Sequence, residues 1–418
     1  MQAKPRIIII GGGFGGLSAA HALRTAAVDV LMIDRGNHHT FQPLLYQVAT
    51  AGLAAPSIAA PLRHILREQR NATVLLGEAR RVDIERKIVD VDGVSHPYDF
   101  LIVATGSTHA YFGHDEWAPY APGLKTLDDA LRIRARILTA FERAEATDDP
   151  AEQMDWLTFV IVGGGATGVE LAGTLAEIAR HTLKREFRRI DPAAARVLLI
   201  EAGCRVLPSF PPSLSDKARR QLERLGVIVR TGHAVTNVDD RGVWMGEERI
   251  AARTALWAAG VAASPLGATL GVALDRAGRV QVTSELTVPN HPEVFVVGDL
   301  TAAPEATGPL PAIAPTAKQM GHYAAQAILA RLSGRSVAAF RYRHFGSLAT
   351  IGRMAAVADF GRIRLSGTLA WWIWLTAHIY FLIGFRNRLV VLIDWAEAYW
   401  SYRRGARIII PAGESAPR

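Results

Sequence analysis

Cysteine is almost missing from this chain: Cys204 stands alone among 418 residues. That scarcity removes disulfide scaffolds, iron–sulfur clusters and C-x-x-C redox pairs together. Any redox chemistry must then sit on a bound organic cofactor, and no metal site is expected. There is no Lys/Arg run with interleaved aromatics. The formal charge of +8 therefore points to an anionic membrane face ahead of nucleic acid, which is not an expected partner. No signal or transit segment precedes the first apolar run, so a cytosol-facing protein is the simplest expectation. No uncharged apolar run reaches the ~20 residues of a membrane span. What remains is ordinary for a folded protein, with half the residues hydrophobic and 21% charged, enough for two or three cores.

The most informative stretch is Phe159-Val-Ile-Val-Gly163-Gly-Gly165-Ala-Thr167-Gly168-Val-Glu170. A run of β-formers meets G-x-G-x-x-G, and a helical pattern follows. The first glycine permits a tight turn and the second lets backbone approach a pyrophosphate. The third brings the helix close to the strand, so its N-terminus faces the phosphates. One such turn is weak evidence, but the chain opens with the same device, Ile7-Ile-Ile-Ile-Gly11-Gly12-Gly13-Phe14-Gly15-Gly16. Two dinucleotide sites in one chain imply two dinucleotides held against each other, which points to electron transfer.

Each turn is followed by an acid at a strand end. Val30–Ile33 leads into Asp34, 18 residues after Gly16, where a carboxylate accepts hydrogen bonds from a ribose diol. Arg196–Ile200 leads into Glu201 after a longer interval. A carboxylate there repels a 2′-phosphate and predicts NADH over NADPH, although Arg205 lies near enough in sequence to offer a phosphate a partner. Two further strands end in small residues, Val103-Ala104-Thr105-Gly106 and Leu256-Trp-Ala-Ala259-Gly260, the second mirroring the first. Val294-Phe-Val-Val-Gly298-Asp299 completes the pattern. In two-dinucleotide flavoproteins, which this order resembles, such an aspartate bonds the ribityl chain of FAD. Glu170 has two readings: a carboxylate favourable to the helix dipole, or a group beside the nicotinamide or flavin ring that moves a proton. Asn37 to Gly52 lacks clean periodicity and reads either as a loop beside a ligand or as a connection packing on the core. Thr147 to Glu152 reads as a polar break.

The last third begins with Pro311 to Ile328, a loop entering a helix whose N-terminus would stabilise a reduced, anionic flavin. Gln319 on it is either an ordinary helix residue or a hydrogen-bond donor to a quinone. Leu369 to Phe385 is 17 residues without formal charge, and five of the nine tryptophans fall between Leu369 and Trp400. In the following helix Leu389, Leu392, Ala396 and Tyr399 are expected on an apolar side, with Asp394, Glu397, Ser401 and Arg404 opposite. Trp-rich faces flanked by arginines suit helices lying in the headgroup layer. A dimer interface or a core hairpin is the plainer reading, and a homodimer is compatible with membrane contact.

These residues together resemble the single-subunit type II NADH dehydrogenases, non-pumping NADH:quinone oxidoreductases with non-covalent FAD. The specific parts are Phe41-x-Pro-Leu-Leu-Tyr-Gln-Val-Ala-Thr50, Gly163 to Gly173, Leu348-Ala-Thr-Ile-Gly-Arg353 and His378-Ile-Tyr-Phe-Leu-x-Gly-Phe-Arg-Asn-Arg388. The resemblance implies an α/β fold of two Rossmann-like domains, glutathione-reductase-like, plus a C-terminal amphipathic helical membrane-anchoring region. It implies an FAD domain over 1–121 and 265–332, an NADH domain over 122–264, and a membrane and quinone-access region over 333–418. Gly11, Gly12, Gly13, Phe14, Gly15, Gly16, Asp34, Arg35, Ala104, Thr105, Gly106, Asp299 and Ala317 would bind FAD. Gly163, Gly165, Thr167, Gly168, Glu170, Glu201, Ala259 and Gly260 would bind NADH, and Glu170 and Gln319 would be catalytic. The family's quinone pattern A-Q-x-A-x-Q reads Ala314-Pro-Thr-Ala317-Lys-Gln319 here, so Pro315 replaces one glutamine and Lys318 adds a charge. Peripheral attachment, at the cytoplasmic face of a bacterial inner membrane, follows from the same resemblance. The rivals are a ferredoxin-reductase-like flavoprotein, and a binding or signalling flavoprotein like apoptosis-inducing factor.

Overall fold

Strands buried on both faces need continuous apolar runs, and the runs of this chain form parallel strands. The computed structural model describes residues 4–304, 310–401 and 404–409. In chain order the elements used below begin with β1 (Arg6–Ile10), α1 (Phe14–Ala22), β2 (Asp29–Asp34), α2 (Leu45–Ala49) and β3 (Phe100–Val103). Then come β4 (Thr158–Val162), α3 (Ala166–Glu177), β5 (Arg196–Glu201), β6 (Thr254–Trp257) and β7 (His291–Val296). Last are α4 (Ala314–Leu332), β8 (Ser347–Gly352), α5 (Thr368–Phe381) and α6 (Phe385–Ser401).

The chain forms two compact units. One comprises Met1–His39, Ala59–Thr108 and Val261–Phe345; the other comprises Thr40–Ile58, His109–Gly260 and Gly346–Arg418. In the first, a six-stranded sheet runs Thr287–Val288, β7, β3, β1, β2, Ala72–Leu76. All neighbours are parallel except the edge pair Thr287–Val288 with β7. In the second, four parallel strands run Val227–Thr231, β5, β4, β6. The registers match: Ile10 lies between Ile33 and Val103, and Val162 lies between Ile200 and Trp257. In both sheets the chain reverses its direction of growth at this central strand, which opens a crevice at its carboxyl end.

Several expectations are revised. Thr147 to Glu152 is not simply a break, because Pro150–Trp156 is a short helix. The Asp149 carboxylate accepts the Ala151 N–H at 2.9 Å, and Pro150 fills the first position, where a missing N–H costs nothing. The stretch after Asn37 contains the short strand His38–Thr40, a 3-10 turn over Gln42–Leu44, and α2. Residues 346–366 hold a three-stranded antiparallel sheet of β8, Ala355–Asp359 and Arg364–Ser366. The long uncharged stretch is broken at Leu382 to Gly384, Gly384 having φ +87°, so it divides between α5 and α6. Among the described residues no helix is long and apolar enough to cross a membrane.

On α6 the expected apolar side, with Ala396 on it, is the outward one. Val391 and Trp395 are buried, while Leu389 and Leu392 face outward with Ile393. Trp395 turns inward because its indole N–H finds the Gln47 Oε1 at 2.7 Å, and its ring packs 5.4 Å from that of Trp374. A leucine has no such polar tip to satisfy. Arg404, expected on the polar side of the helix, lies beyond its end at Ser401 and is held against Glu177. The side chains of Tyr399, Trp400 and Ser401 lie outside the described residues.

Candidate functional site

The crevice of the first unit is built by the turn after β1. The Gly11 N–H donates to Ile33 O at 2.8 Å and the Ala104 N–H to Ile10 O at 2.8 Å, extending the ladder past the strand ends. Gly11 then turns with φ +105°, where a Cβ would lie 2.5 Å from Ala104 O. Asp34 clamps the turn by accepting N–H bonds from Gly12 at 2.6 Å and Gly36 at 2.7 Å. A carboxylate has about four lone-pair sites, so these bonds leave it able to accept a diol. Gly13 is different: its φ is −70°, open to any residue, and a Cβ there would meet nothing within 4 Å. No contact inside the unit requires glycine at that place. The approach of an outside group to bare backbone at the start of α1 would.

Around this turn the first unit gathers the other expected residues. Gly15 lies under Val297 and Ala317 O, and a Cβ on Gly298 would lie 3.6 Å from Ala317 Cβ. Asp299 accepts the Ser107 hydroxyl at 2.7 Å, a partner not anticipated because Ser107 follows the expected Ala104-Thr105-Gly106. The hydroxyls of Thr105 and Thr316 are buried without a hydrogen-bond partner, a costly state unless a ligand or water completes them. Arg35 is exposed. His39, also unanticipated, is buried with Nδ1 2.9 Å from Gly12 O and its ring edge-on to Phe14. Burial pushes its pKa down, helped by Lys318 and opposed by the Gly12 carbonyl. The neutral ring therefore donates from Nδ1, a tautomer assigned from this bond.

The second unit repeats the device almost atom for atom. The Gly163 N–H donates to Ile200 O and the Ala258 N–H to Val162 O, both at 2.7 Å. Glu201 accepts N–H bonds from Gly164 at 2.5 Å and Gly203 at 2.7 Å. Gly163 has φ +108°, and a Cβ there would lie 2.5 Å from Ala259 Cα, which places Ala259 and Gly260 beside the turn. Gly165, like Gly13, has an ordinary φ of −68° and open space at its Cβ position. Arg205 donates to Pro208 O at 3.0 Å. Phe112 lies against Gly260, where a Cβ would be 2.5 Å from the ring.

Beyond Gly168 this unit does something the first does not. On α3, Glu170, Thr174 and Glu177 share one face at i, i+4 and i+7, and β8 runs along the helix. Contact is close because Gly173 has no side chain; a Cβ there would sit 1.6 Å from Ile351 O. The Thr350 N–H bonds the Glu170 carboxylate, and the Arg353 N–H bonds Glu177 Oε1. Seven helical residues rise about 10.5 Å and three strand residues about 10 Å, so one strand serves both carboxylates. Glu170 keeps a partly accessible edge. Desolvation nevertheless pushes its pKa up to about 8, with the Thr350 N–H opposing. It holds a proton at neutral pH, which the helix-dipole reading does not require.

Gln319 lies in the first unit and Glu170 in the second. The Gln319 amide is engaged with backbone: Nε2 donates to Arg343 O at 2.9 Å and Oε1 accepts the Arg343 N–H at 3.0 Å. One amide hydrogen remains for another acceptor. Pro315 occupies the first turn of α4, where proline is tolerated. On α5, His378 Nδ1 lies 2.7 Å from Trp374 O, and its ring stacks on Trp374. Burial lowers its pKa to about 4 against that bond, so the ring is neutral and donates to the carbonyl.

Residues 5–321 match the family described as pyridine nucleotide-disulphide oxidoreductase, and 344–403 match the NDH2 C-terminal domain. The type II NADH:quinone oxidoreductase Ndh of Mycobacterium tuberculosis is 46% identical, over 96% of this chain and 89% of that protein. The type II NADH:quinone oxidoreductase NdhA of the same organism is also 46% identical, over 97% and 89%. A solved structure of NDH2 from Plasmodium falciparum in complex with NADH shares the fold with a TM-score of 0.89 at 22% identity, covering 97% of this chain and all of that one. The sulfide:quinone oxidoreductase of Aquifex aeolicus shares it more loosely, with a TM-score of 0.70 at 19% identity over 92% of each chain. With both halves of the family pattern present and nearly half of all residues shared along its length, the chain belongs to the type II NADH:quinone oxidoreductases.

Proposed function

We propose that this chain takes a hydride from NADH onto FAD and delivers two electrons to a membrane quinone, without pumping protons. The observation that carries the reading is the pair of turns whose central glycines, Gly13 and Gly165, have free space where a side chain would be. Each is glycine for the sake of something outside the polypeptide. When bound, FAD supplies a two-electron relay between a hydride donor and a quinone.

The residues divide the work. In the first unit Gly11 to Gly16 and Asp34 hold the adenosine diphosphate half of FAD. Thr105, Asp299 and Ala317 meet the rest, and the unpartnered Thr105 and Thr316 hydroxyls fit a polar ligand. In the second, Gly163, Gly165, Thr167 and Gly168 hold the NADH pyrophosphate, Glu201 its ribose diol, and Ala259 and Gly260 the approach to the ring. Glu201 favours NADH over its 2′-phosphorylated form, and Arg205 is turned to Pro208 O. Glu170 holds a proton at its carboxyl for the quinone, and Gln319 positions the segment at Arg343. The exposed Leu369, Trp372, Tyr380, Phe381, Leu389, Leu392 and Ile393 lay α5 and α6 flat in the headgroup layer. The membrane is the inner membrane of a bacterium, met from its cytoplasmic face, and the same surface leaves room for a homodimer.

The purified protein should be yellow, bleach on anaerobic mixing with NADH, and recover its colour on addition of a short-chain quinone. A colourless polypeptide, or bleaching that no quinone reverses, ends this reading. Trp372→Glu combined with Leu392→Glu should abolish flotation with anionic liposomes while leaving the flavin bound.

A further inference from the structure

One cavity of the second unit joins the tryptophans of α5 and α6 to a set of polar groups that the roles above leave unassigned. This chamber of about 110 Å³ is lined by Tyr46, Thr174, Glu177, Thr350 and Arg404 among others, large enough for a few waters. Thr174 and Glu177 come from the same face of α3 that carries Glu170, one and two turns further on. Thr350 lines the chamber and bonds Glu170 through its N–H. The chamber therefore adjoins the carboxyl that holds the proton.

Tyr46 spans the same space. Its oxygen accepts the Gln47 Nε2–H at 2.9 Å, and Gln47 Oε1 in turn accepts the Trp395 N–H at 2.7 Å. With the amide fixed in that orientation, the tyrosine O–H is left to donate. The carboxylates close enough to act on Tyr46 are Glu170 and Glu177. Burial and these two acids raise its pKa well above the ordinary value, against Gln47 and Arg404. The hydroxyl can thus pass a proton only by receiving one as it gives one.

Glu177 is held by the chain that follows α6. Arg404 Nη2 lies 3.3 Å from its carboxylate, with only 11% and 13% of the two side chains exposed. The same guanidinium donates to Thr50 O at 2.9 Å. Burial raises the pKa of Glu177 while Arg404, the Arg353 N–H, His181 and the Arg353 charge lower it. Among the described residues these and Tyr46 are the charged and titratable groups that act on it.

We propose that Glu177 supplies the proton that refills Glu170, through the Tyr46 hydroxyl and water in the chamber, with Arg404 as a positioning residue. The proposal rests on the quinone-reductase reading. NADH, one proton and quinone give NAD⁺ and quinol, so each turnover draws one proton from solvent beyond the hydrogen carried by NADH. The Glu170 O–H bond breaks as a quinol O–H bond forms. The Glu170 carboxylate then takes the Tyr46 proton while the Tyr46 oxygen takes one from a chamber water, that water takes the Glu177 carboxyl proton, and Glu177 takes a new one from solvent.

The test compares wild type with Glu177→Gln as the full-length flavoprotein, using NADH and a short-chain quinone. Quinone turnover is expected to fall about tenfold, with a larger solvent deuterium isotope effect than wild type, while the bleaching step by NADH changes little. The infrared carboxyl band that Glu170→Gln deletes should exchange more slowly into D₂O. Unchanged turnover and exchange, or equal loss of both half-reactions with flavin retained, would overturn the relay. If Glu177→Gln does not fold, Tyr46→Phe makes the same demand by deleting the relay oxygen. A wild type that no quinone reoxidises defeats the functional reading instead; a competent wild type with an indifferent variant defeats only the relay.

Discussion

The two nucleotide turns share their front and differ in their back. In each, strand, positive-φ glycine, clamping acid and helix start repeat with nearly the same distances, 2.8 and 2.7 Å for the first bond of the turn. The residue two beyond the last glycine is where they part. It is Ser18 in the first unit and Glu170 in the second. Ser18 spends its hydroxyl on Lys318 O at 2.8 Å, tying α1 to α4. Glu170 meets the backbone of β8 and keeps its proton. Three residues later the first helix has His21 and the second has Gly173, whose bare backbone lets β8 approach. On the proposed reading a duplicated cradle thus supplies binding twice and proton chemistry once, and what decides it is the element each helix leans on.

The glycines offer the largest test of that division. A Cβ at Gly16 would lie 1.9 Å from Gly11 O, and one at Gly168 would lie 1.8 Å from Gly163 O. Neither backbone can yield, so Gly16→Ala should give colourless or insoluble protein. Gly168→Ala should collapse the second cradle; any protein recovered yellow should not bleach with NADH. Gly13→Ala and Gly165→Ala are the counterpart. Their Cβ atoms meet open space, so melting of the flavin-free chain should barely move. Flavin content should fall for Gly13→Ala, and the KM for NADH should rise at least about tenfold for Gly165→Ala, a cost of about 1.4 kcal/mol. Equal melting losses at all four sites would show that the glycines serve only folding.

Glu170→Gln comes next and separates the two backs. General acid–base groups contribute about 10²–10⁴ in rate, and quinone turnover should fall by about 10² or more. In the wild type, turnover should hold below pH about 8 and decline above it, as the raised carboxyl loses its proton. The same shift acts on stability. In the unfolded chain a glutamate titrates near ~4.3, so between that value and about 8 the folded state binds the extra proton. Stability therefore falls as pH rises through this window, and Glu170→Gln should flatten that part of the curve. Urea melts of both proteins between pH 5 and 9 check it.

The front of each cradle is legible in the sequence because it is local. Gly163, Gly165, Gly168 and the apolar runs beside them state their roles within a dozen residues, and Asp34 and Glu201 announce strand ends. The back is not local. Nothing near Glu177 names Arg404, 227 residues away, or the Arg353 N–H, 176 residues away. Tyr46 stands in a stretch that periodicity cannot classify, and only its partner Gln47, itself held by Trp395, gives it a task. Leu389 and Leu392 read as one apolar side, and hydrophobicity alone does not say which apolar side meets protein and which meets lipid. The indole N–H of Trp395 decides that, and a helical wheel does not record hydrogen bonds. The carboxyl of Glu170 keeps two readings until β8, drawn from the far end of the chain, is laid against it.

Ser18→Ala is the smallest change and the most direct control on the comparison. It removes one part-buried hydrogen bond between α1 and α4 and leaves the Lys318 carbonyl without that donor, a cost of about 1 kcal/mol. No proton is held at this position, so its loss should lower the urea midpoint slightly. The rate of quinone reduction and its pH profile should stay those of wild type. Glu170→Gln at the equivalent place in the other helix should do the opposite, with chemistry lost and little stability. If Ser18→Ala instead altered the pH dependence of turnover, the first cradle would also be taking part in proton delivery, and the contrast between the two backs would fail at its weakest joint.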